Sequence, residues 1–265
     1  DSPKKGIIES INRLKETGIA LKIITGDNHL VAKHLALQIG LNAETVISGK
    51  DLETMTDDAL RMNVKRADVF AEVVPEQKER IVKAFQQTGH AVGYLGDGIN
   101  DANALKAADV GISINNAVDV AKEAADLVLL DQDIDVIRLG VEEGRKTFMN
   151  TMKYIYVTTS ANFGNMISMA IASLLLPFLP LLPVQILLNN FLSDLPAIAI
   201  ASDNVDKELV MKPRKWDIKY IRKFMVVFGL QSSLFDFLTF GVLYSYFHAK
   251  PEIFRTGWFM ESLLS

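Results

Sequence analysis

Between Tyr154 and Ser202 the chain carries a single charged side chain, Asp194, in 49 consecutive positions. A fold with a water-facing surface needs charged residues far more often than that, so this stretch is expected to lie in a bilayer. The residues before it are of the opposite kind. Positions 1–153 hold 19 of the 28 Lys and Arg and 24 of the 32 Asp and Glu. The 265 residues therefore divide into a soluble part, 1–135, and a part made of a stalk and transmembrane helices, 136–265.

The soluble part alternates short apolar runs with amphipathic helical stretches, the pattern of an α/β fold with a largely parallel sheet. A helix is predicted from about Pro3 to Thr17, stopped at Gly18, and another from His29 to Ile39, stopped at Gly40. Strands are predicted at Ala20–Ile24, Val69–Glu72, Ala91–Leu95, Val110–Ser113 and Leu127–Leu130. Near-continuous apolar strands with helices between them imply a doubly wound, Rossmann-type arrangement.

In such sheets the functional loops lie beyond the carboxyl ends of the strands. Three loops fall there: Thr25-Gly26-Asp27-Asn28, Pro75-Glu76-Gln77-Lys78, and Gly96-Asp97-Gly98-Ile99-Asn100-Asp101. Asp97 and Asp101 supply hard oxygen ligands suited to Mg²⁺, while Asn100 and the N–H groups of the helix behind it suit phosphoryl oxygens. Taken singly, a Thr-Gly-Asp or an Asp-Gly is an ordinary turn. Their order and placement on one sheet edge are not ordinary.

The segments TGDN (25–28), PEQK (75–78) and GDGINDANALKAADVGIS (96–113) closely resemble the phosphorylation domain of P-type cation-transporting ATPases, which has the haloacid-dehalogenase-like fold. Many members have proline where this chain has Asn103. The resemblance implies ATP as substrate and Mg²⁺ as cofactor, with transfer of the γ-phosphoryl group to an aspartate. It implies that Asp97 and Asp101 serve the metal and that Lys78 neutralises charge on the transferred group. Thr25, Gly26 and Asn100 would contact the phosphoryl group or nucleotide, and Asp27 would help close the nucleotide-bound state. The family's acceptor motif Asp-Lys-Thr-Gly-Thr occurs nowhere in the 265 residues. The chain is accordingly expected to be a C-terminal piece of a longer pump, inactive by itself and completed by the missing N-terminal part.

No proline interrupts residues 76–176, so one helix is expected from Val136 to Leu176, roughly 60 Å long. Its charged first third and uncharged remainder would link the phosphorylation site to the bilayer. Spans are predicted at 154–176, 184–202 and 224–247, with a further one beginning at 257. The loop Asp203–Lys223 carries seven Lys and Arg, which places it and the soluble part on the cytoplasmic side of a cell membrane, read as the bacterial inner membrane. Polar groups inside spans are functional candidates. Asn162 and Asn165 share one helix face, as do Asn190 and Asp194. Asp236 lies in the next span, and Pro196 can free backbone carbonyls as further ligands.

The membrane segments 187–206 and 228–243 look most like the bacterial magnesium-transporting P-type ATPases, making Mg²⁺ the expected transported ion. The calcium and sodium/potassium types usually place a glutamate at the position of Asn165. A pump for another cation (calcium, proton or monovalent ion) or a truncated non-catalytic regulator are the alternatives, and a tethered phosphatase would leave Asp194 unexplained. With no cysteine, disulfides and thiolate metal sites are excluded. His29, His34, His90 and His248 lack metal-ligand spacing. A net charge of −4 without a basic stripe argues against nucleic acid as partner.

Overall fold

The structure, a computed structural model of the chain, describes residues 6–131 and 133–264. They form two compact units, Asp1–Val141 and Glu142–Ser265.

The first unit runs α1 (Ile7–Glu16), β1 (Ile23–Ile24), α2 (His29–Gln38), β2 (Val46–Ser48), α3 (Gly49–Thr54), α4 (Asp57–Asn63), β3 (Val69–Ala71) and α5 (Pro75–Gln87). It continues with β4 (Gly93–Leu95), α6 (Ala102–Ala107), β5 (Val110–Ile114), α7 (Asp119–Ala124) and β6 (Leu127–Leu129). The expected start of the first helix at Pro3 lies outside the described residues. The helix stops at Gly18, whose φ of +77° is the left-handed geometry that glycine adopts at helix ends.

Among the described residues all strand pairs are parallel, as the alternation of strands and helices implies. They form two three-stranded sheets, β1-β3-β2 and β4-β5-β6, rather than one continuous sheet. Ile24 pairs with Phe70 and Ile47 with Phe70 in the first; Leu95 pairs with Ile112 and Ile112 with Leu127 in the second. Among the described residues, β1 and β4 are each hydrogen-bonded to a strand on one side only.

Helix α5 joins the two sheets. Its Ile81 and Ala84 pack in the core around Phe70, Leu52 and Leu60, whereas Val82, one residue on, packs with Tyr94, Ala104 and Leu105. Burying Ile81 and Val82 fully contributes roughly 1.5–3 kcal/mol each. The amino end of α5 is thereby fixed relative to the loops of both sheets.

The second unit contains most of α8 (Asp135–Leu175), then α9 (Pro183–Ala197), α10 (Lys207–Met211), α11 (Ile218–Phe240) and α12 (Pro251–Leu264). The expected long helix is observed as one 41-residue element. Helix α9 ends one residue after Pro196, whose ring removes a backbone donor, and the chain continues as a 3₁₀ turn, Ile198–Ser202. Helices α8 and α11 touch backbone to backbone at Gly164 and Gly229: a Cβ on Gly164 would lie 2.8 Å from the Gly229 carbonyl oxygen. Small residues permit such close crossings between apolar helices. Phe240, Phe254 and Trp258 fill the core beside them.

Among the described residues two helical stretches are long and apolar enough to cross a membrane, Pro183–Ser202 and Ile218–Tyr246. The expected span 154–176 falls on the last part of α8 and does not meet that measure, and the span expected only to begin at 257 falls within α12. Thr158, Thr159, Ser160, Asn162 and Asn165 dilute the apolar character of 154–176, and α12 has 14 described residues, about 21 Å of helix.

Candidate functional site

The first singled-out loop is bonded to the segment that leads into the second, and the second is bonded to the third. Thr25 follows β1 directly; its N–H donates to the Phe70 carbonyl at 2.9 Å, and its own carbonyl accepts from the Val73 N–H at 3.1 Å. The first loop is thus laid along the segment that leads into α5. Within it the Thr25 hydroxyl donates to Asp27 Oδ2 at 2.9 Å, and the Asp27 N–H returns a bond to Thr25 Oγ1 at 3.1 Å. Gly26 and Asp27 are exposed and Thr25 is half-buried. Asn28 is the N-cap of α2, its side chain accepting from the Leu30 N–H at 2.9 Å.

The second loop is a helix start built from its own sequence. Pro75 occupies the first turn of α5, where a missing N–H costs nothing. Gln77 reaches back to accept from the Val74 N–H at 3.2 Å and donates to the Gly49 carbonyl at 2.9 Å. Lys78, next in line, is largely buried and reaches across to the third loop, with Nζ 2.8 Å from Asp101 Oδ1.

Asp101 is the centre of the third loop. Its Oδ1 also accepts the Tyr94 hydroxyl at 2.7 Å, and its Oδ2 accepts the Gly98 N–H at 3.2 Å. Burial disfavours the charge on this carboxylate. The Lys78 ammonium, the Tyr94 hydroxyl and the Gly98 N–H outweigh that penalty and hold its pKa below the ordinary aspartate value. Burial, together with the neighbouring Asp101, pushes the Tyr94 phenol well above the usual tyrosine range, so Tyr94 remains a donor. Gly96 is required by this packing: a Cβ there would stand 2.6 Å from the Cβ of Asp101 and 3.1 Å from the Tyr94 ring.

Asp97 and Asn100 are exposed. The Asp97 backbone carbonyl accepts from the Val118 N–H at 3.1 Å. One exposed carboxylate beside a lysine-neutralised one is a donor set that suits Mg²⁺, an ion bound by one or two carboxylates and completed by water and phosphate oxygens. Among the described residues no three His, Asp or Glu side chains are grouped so as to hold a metal ion.

Two participants escape a reading of the sequence. Tyr94 reads as a core aromatic of a strand, and nothing local announces its partner seven residues on. Glu72 sits at a φ of +57°, strained for a residue with a side chain, and its carboxylate accepts from Asn28 Nδ2 and the His29 N–H, both at 3.2 Å. An acidic residue at the amino end of α2 complements that helix's dipole.

Among the described residues no hydrogen bond joins the polar residues singled out in the helical unit to one another. Asn162, Asn190 and Asp194 are exposed, and Asn165 is half-buried. On α9 the buried amide is Asn189, with an Oδ1 that has no partner among the described residues. Asp236 is 1% exposed; it accepts from the Ser168 hydroxyl at 2.5 Å and from the Trp258 indole N–H at 2.8 Å. Asp236 therefore ties α8, α11 and α12 together, a role that spacing along one helix does not reveal.

Two family models match parts of the chain. Residues 1–109 match the family of haloacid dehalogenase-like hydrolases, and residues 178–265 match the C-terminal region of cation transporting ATPases. Over its whole length the chain is 49% identical to a magnesium-transporting ATPase, P-type 1, of Salmonella typhimurium and 48% identical to one of Escherichia coli, covering 30% of each. It is 39% identical, over 81% of its length, to a calcium-transporting ATPase of Bacillus subtilis, covering 25% of that protein. The chain thus spans about a third of the length of the relatives it matches, and it belongs to the P-type cation-transporting ATPases.

Proposed function

We propose that this chain is the part of a magnesium-transporting P-type ATPase that handles the phosphoryl group and carries part of the ion path, in a bacterial inner membrane with the first unit cytoplasmic. The single observation that carries the reading is the Lys78–Asp101 pair. It joins a cation from one loop to a carboxylate from another, with Thr25 laid along the chain just before α5. A fixed cation at that point stabilises charge on a transferring phosphoryl group without reorganising. Thr25 and Asn100 offer hydrogen bonds to its oxygens. Gly26 leaves room for close approach of the nucleotide, and Asp27 orients Thr25. Asp97, with Asp101 behind it, would hold Mg²⁺, which supplies further charge neutralisation on the phosphate oxygens of ATP.

The phosphoryl acceptor comes from the part of the pump outside these residues. The one-sided pairing of β1 and β4, with α5 packed against both sheets, supports entry of an additional strand between them. Such a strand would end beside Thr25, Lys78 and Asp101. Magnesium as the transported ion is supported by the relatives' names and by the amide and carboxylate oxygens of Asn162, Asn165, Asn190 and Asp194. Exposure of three of these four in the second unit suits a path completed by helices from the rest of the pump, and Asp236 serves as the internal tie.

Two substitutions in the full-length pump test the reading. Asp97→Asn should abolish the acid-stable phosphoenzyme formed from labelled ATP. Asp194→Asn should leave it intact while weakening its dependence on magnesium. Normal labelling of the first variant, or unchanged magnesium dependence of the second, contradicts the corresponding assignment.

A further inference from the structure

The Tyr94 hydroxyl makes a bond that a core aromatic does not need. Tyr94 is 7% exposed and packs in the cluster with Val82, Leu105 and Ala121, a setting in which phenylalanine would serve equally well. Burying a phenolic hydroxyl without a partner is costly. This one ends 2.7 Å from Asp101 Oδ1, the same oxygen that receives Lys78 at 2.8 Å. Asp101 in turn accepts the Gly98 N–H with its other oxygen, which pins the loop that presents Asp97 and Asn100. Three donors from β4, α5 and the 96–101 loop therefore converge on one carboxylate, and the two side chains reach it from different elements.

We propose that Tyr94 is a positioning residue of the phosphoryl-handling site, acting through Asp101. With the hydroxyl in place the carboxylate has one orientation, and Lys78 and the loop backbone take their places from it. Without it, Lys78 is the one side chain among the described residues still bonded to Asp101, and the ammonium and carboxylate can move together away from the transferring group. This inference rests on the reading of the three loops as a phosphoryl-handling site.

The test is a double-mutant cycle between Tyr94→Phe and Asp101→Ala. In the full-length pump, Tyr94→Phe should slow phosphoenzyme formation at saturating ATP about tenfold, the loss expected for one hydrogen bond to a charged group, with the KM for ATP unchanged. In the Asp101→Ala background the same substitution should have no further effect. Equal slowing in both backgrounds, or no slowing in either, overturns the proposal. The 265-residue chain supplies a readout that does not depend on turnover. There the thermal-midpoint shifts of the two substitutions should be non-additive, and additive shifts overturn the hydrogen-bonded role. If the wild-type pump forms no phosphoenzyme, the functional reading fails, and the midpoint cycle still decides whether Tyr94 acts through Asp101. Should Tyr94→Phe not fold, Tyr94→Met replaces it in both cycles, keeping the apolar volume without the hydroxyl.

Discussion

Replacing Lys78 by methionine removes the ammonium while keeping most of the side chain's length and apolar volume. The side chains of Lys78 and Asp101 are 12% and 11% exposed, so the carboxylate loses its one ionic partner among the described residues, in a largely dry site. Breaking a buried pair by removing one partner costs about 3–5 kcal/mol when the remaining charge is left alone. Here Tyr94 and the Gly98 N–H still donate to Asp101, which brings the expected cost to about 2–3 kcal/mol. Hydrogen exchange read on peptides covering residues 93–105 reports the local opening free energy. Protection there should fall roughly thirty- to a hundred-and-sixtyfold at neutral pH, and peptides from α9 and α11 should be unchanged.

The pH dependence of that difference has a definite sign. The folded-state pKa of Asp101 is lowered, so the stabilisation is present above the unfolded aspartate pKa of about 3.9 and is lost as pH falls through the folded value. In Lys78→Met the burial penalty is less opposed, and protonation relieves it. The gap between variant and wild type should therefore narrow below about pH 4. A gap that stays constant down to acid pH, or a neutral-pH loss under threefold, refutes the view that Lys78 and Asp101 form an integral buried pair.

Other substitutions probe separate parts of the account. Gly96→Ala places a methyl group 2.6 Å from the Asp101 Cβ, and it should cost about 1–3 kcal/mol, seen as increased exchange of the 96–101 loop; a neutral result would mean the loop relaxes freely. Asp51 closes a capping box on α3, accepting from the Ser48 N–H at 2.9 Å and from its hydroxyl at 2.6 Å. Asp51→Ala should destabilise that helix by about 1 kcal/mol, measured by exchange of residues 49–54, with no change in phosphoenzyme level. Asp236→Ala removes the acceptor shared by Ser168 and Trp258. In a Trp216→Phe background, Trp258 emission should change and the thermal midpoint of the helical unit should fall; unaltered emission would show that the indole N–H has another partner.

How much could be read from the sequence follows from the range over which each feature acts. β3, β4, β5 and β6 coincide with short apolar runs, and α2 and α8 with long stretches free of breakers, because both signals are local. β2 was not anticipated: three residues, Val46–Ser48, are too few to show a period, and they become a strand only by pairing with β3. The division into two sheets was equally illegible, since periodicity identifies strands and says nothing of which neighbour each one finds. The three loops were recognisable as motifs, whereas the bond joining two of them spans 23 residues and depends on α5 bridging both sheets. In the helical unit, spacing paired Asn190 with Asp194, but the turn of α9 buries Asn189 instead.

The central claim is that these residues supply the phosphoryl-handling loops of a pump whose acceptor aspartate lies elsewhere in the same protein. It is tested by preparing the 265-residue chain alone and again co-expressed with the remaining part of the pump, each with labelled ATP and Mg²⁺. The account expects no acid-stable phosphoenzyme from the chain alone. It expects labelling to appear on the co-expressed part when both are present, and to be lost when the chain carries Lys78→Ala. Label on the 265-residue chain itself, or label on the other part that is indifferent to Lys78→Ala, would contradict it.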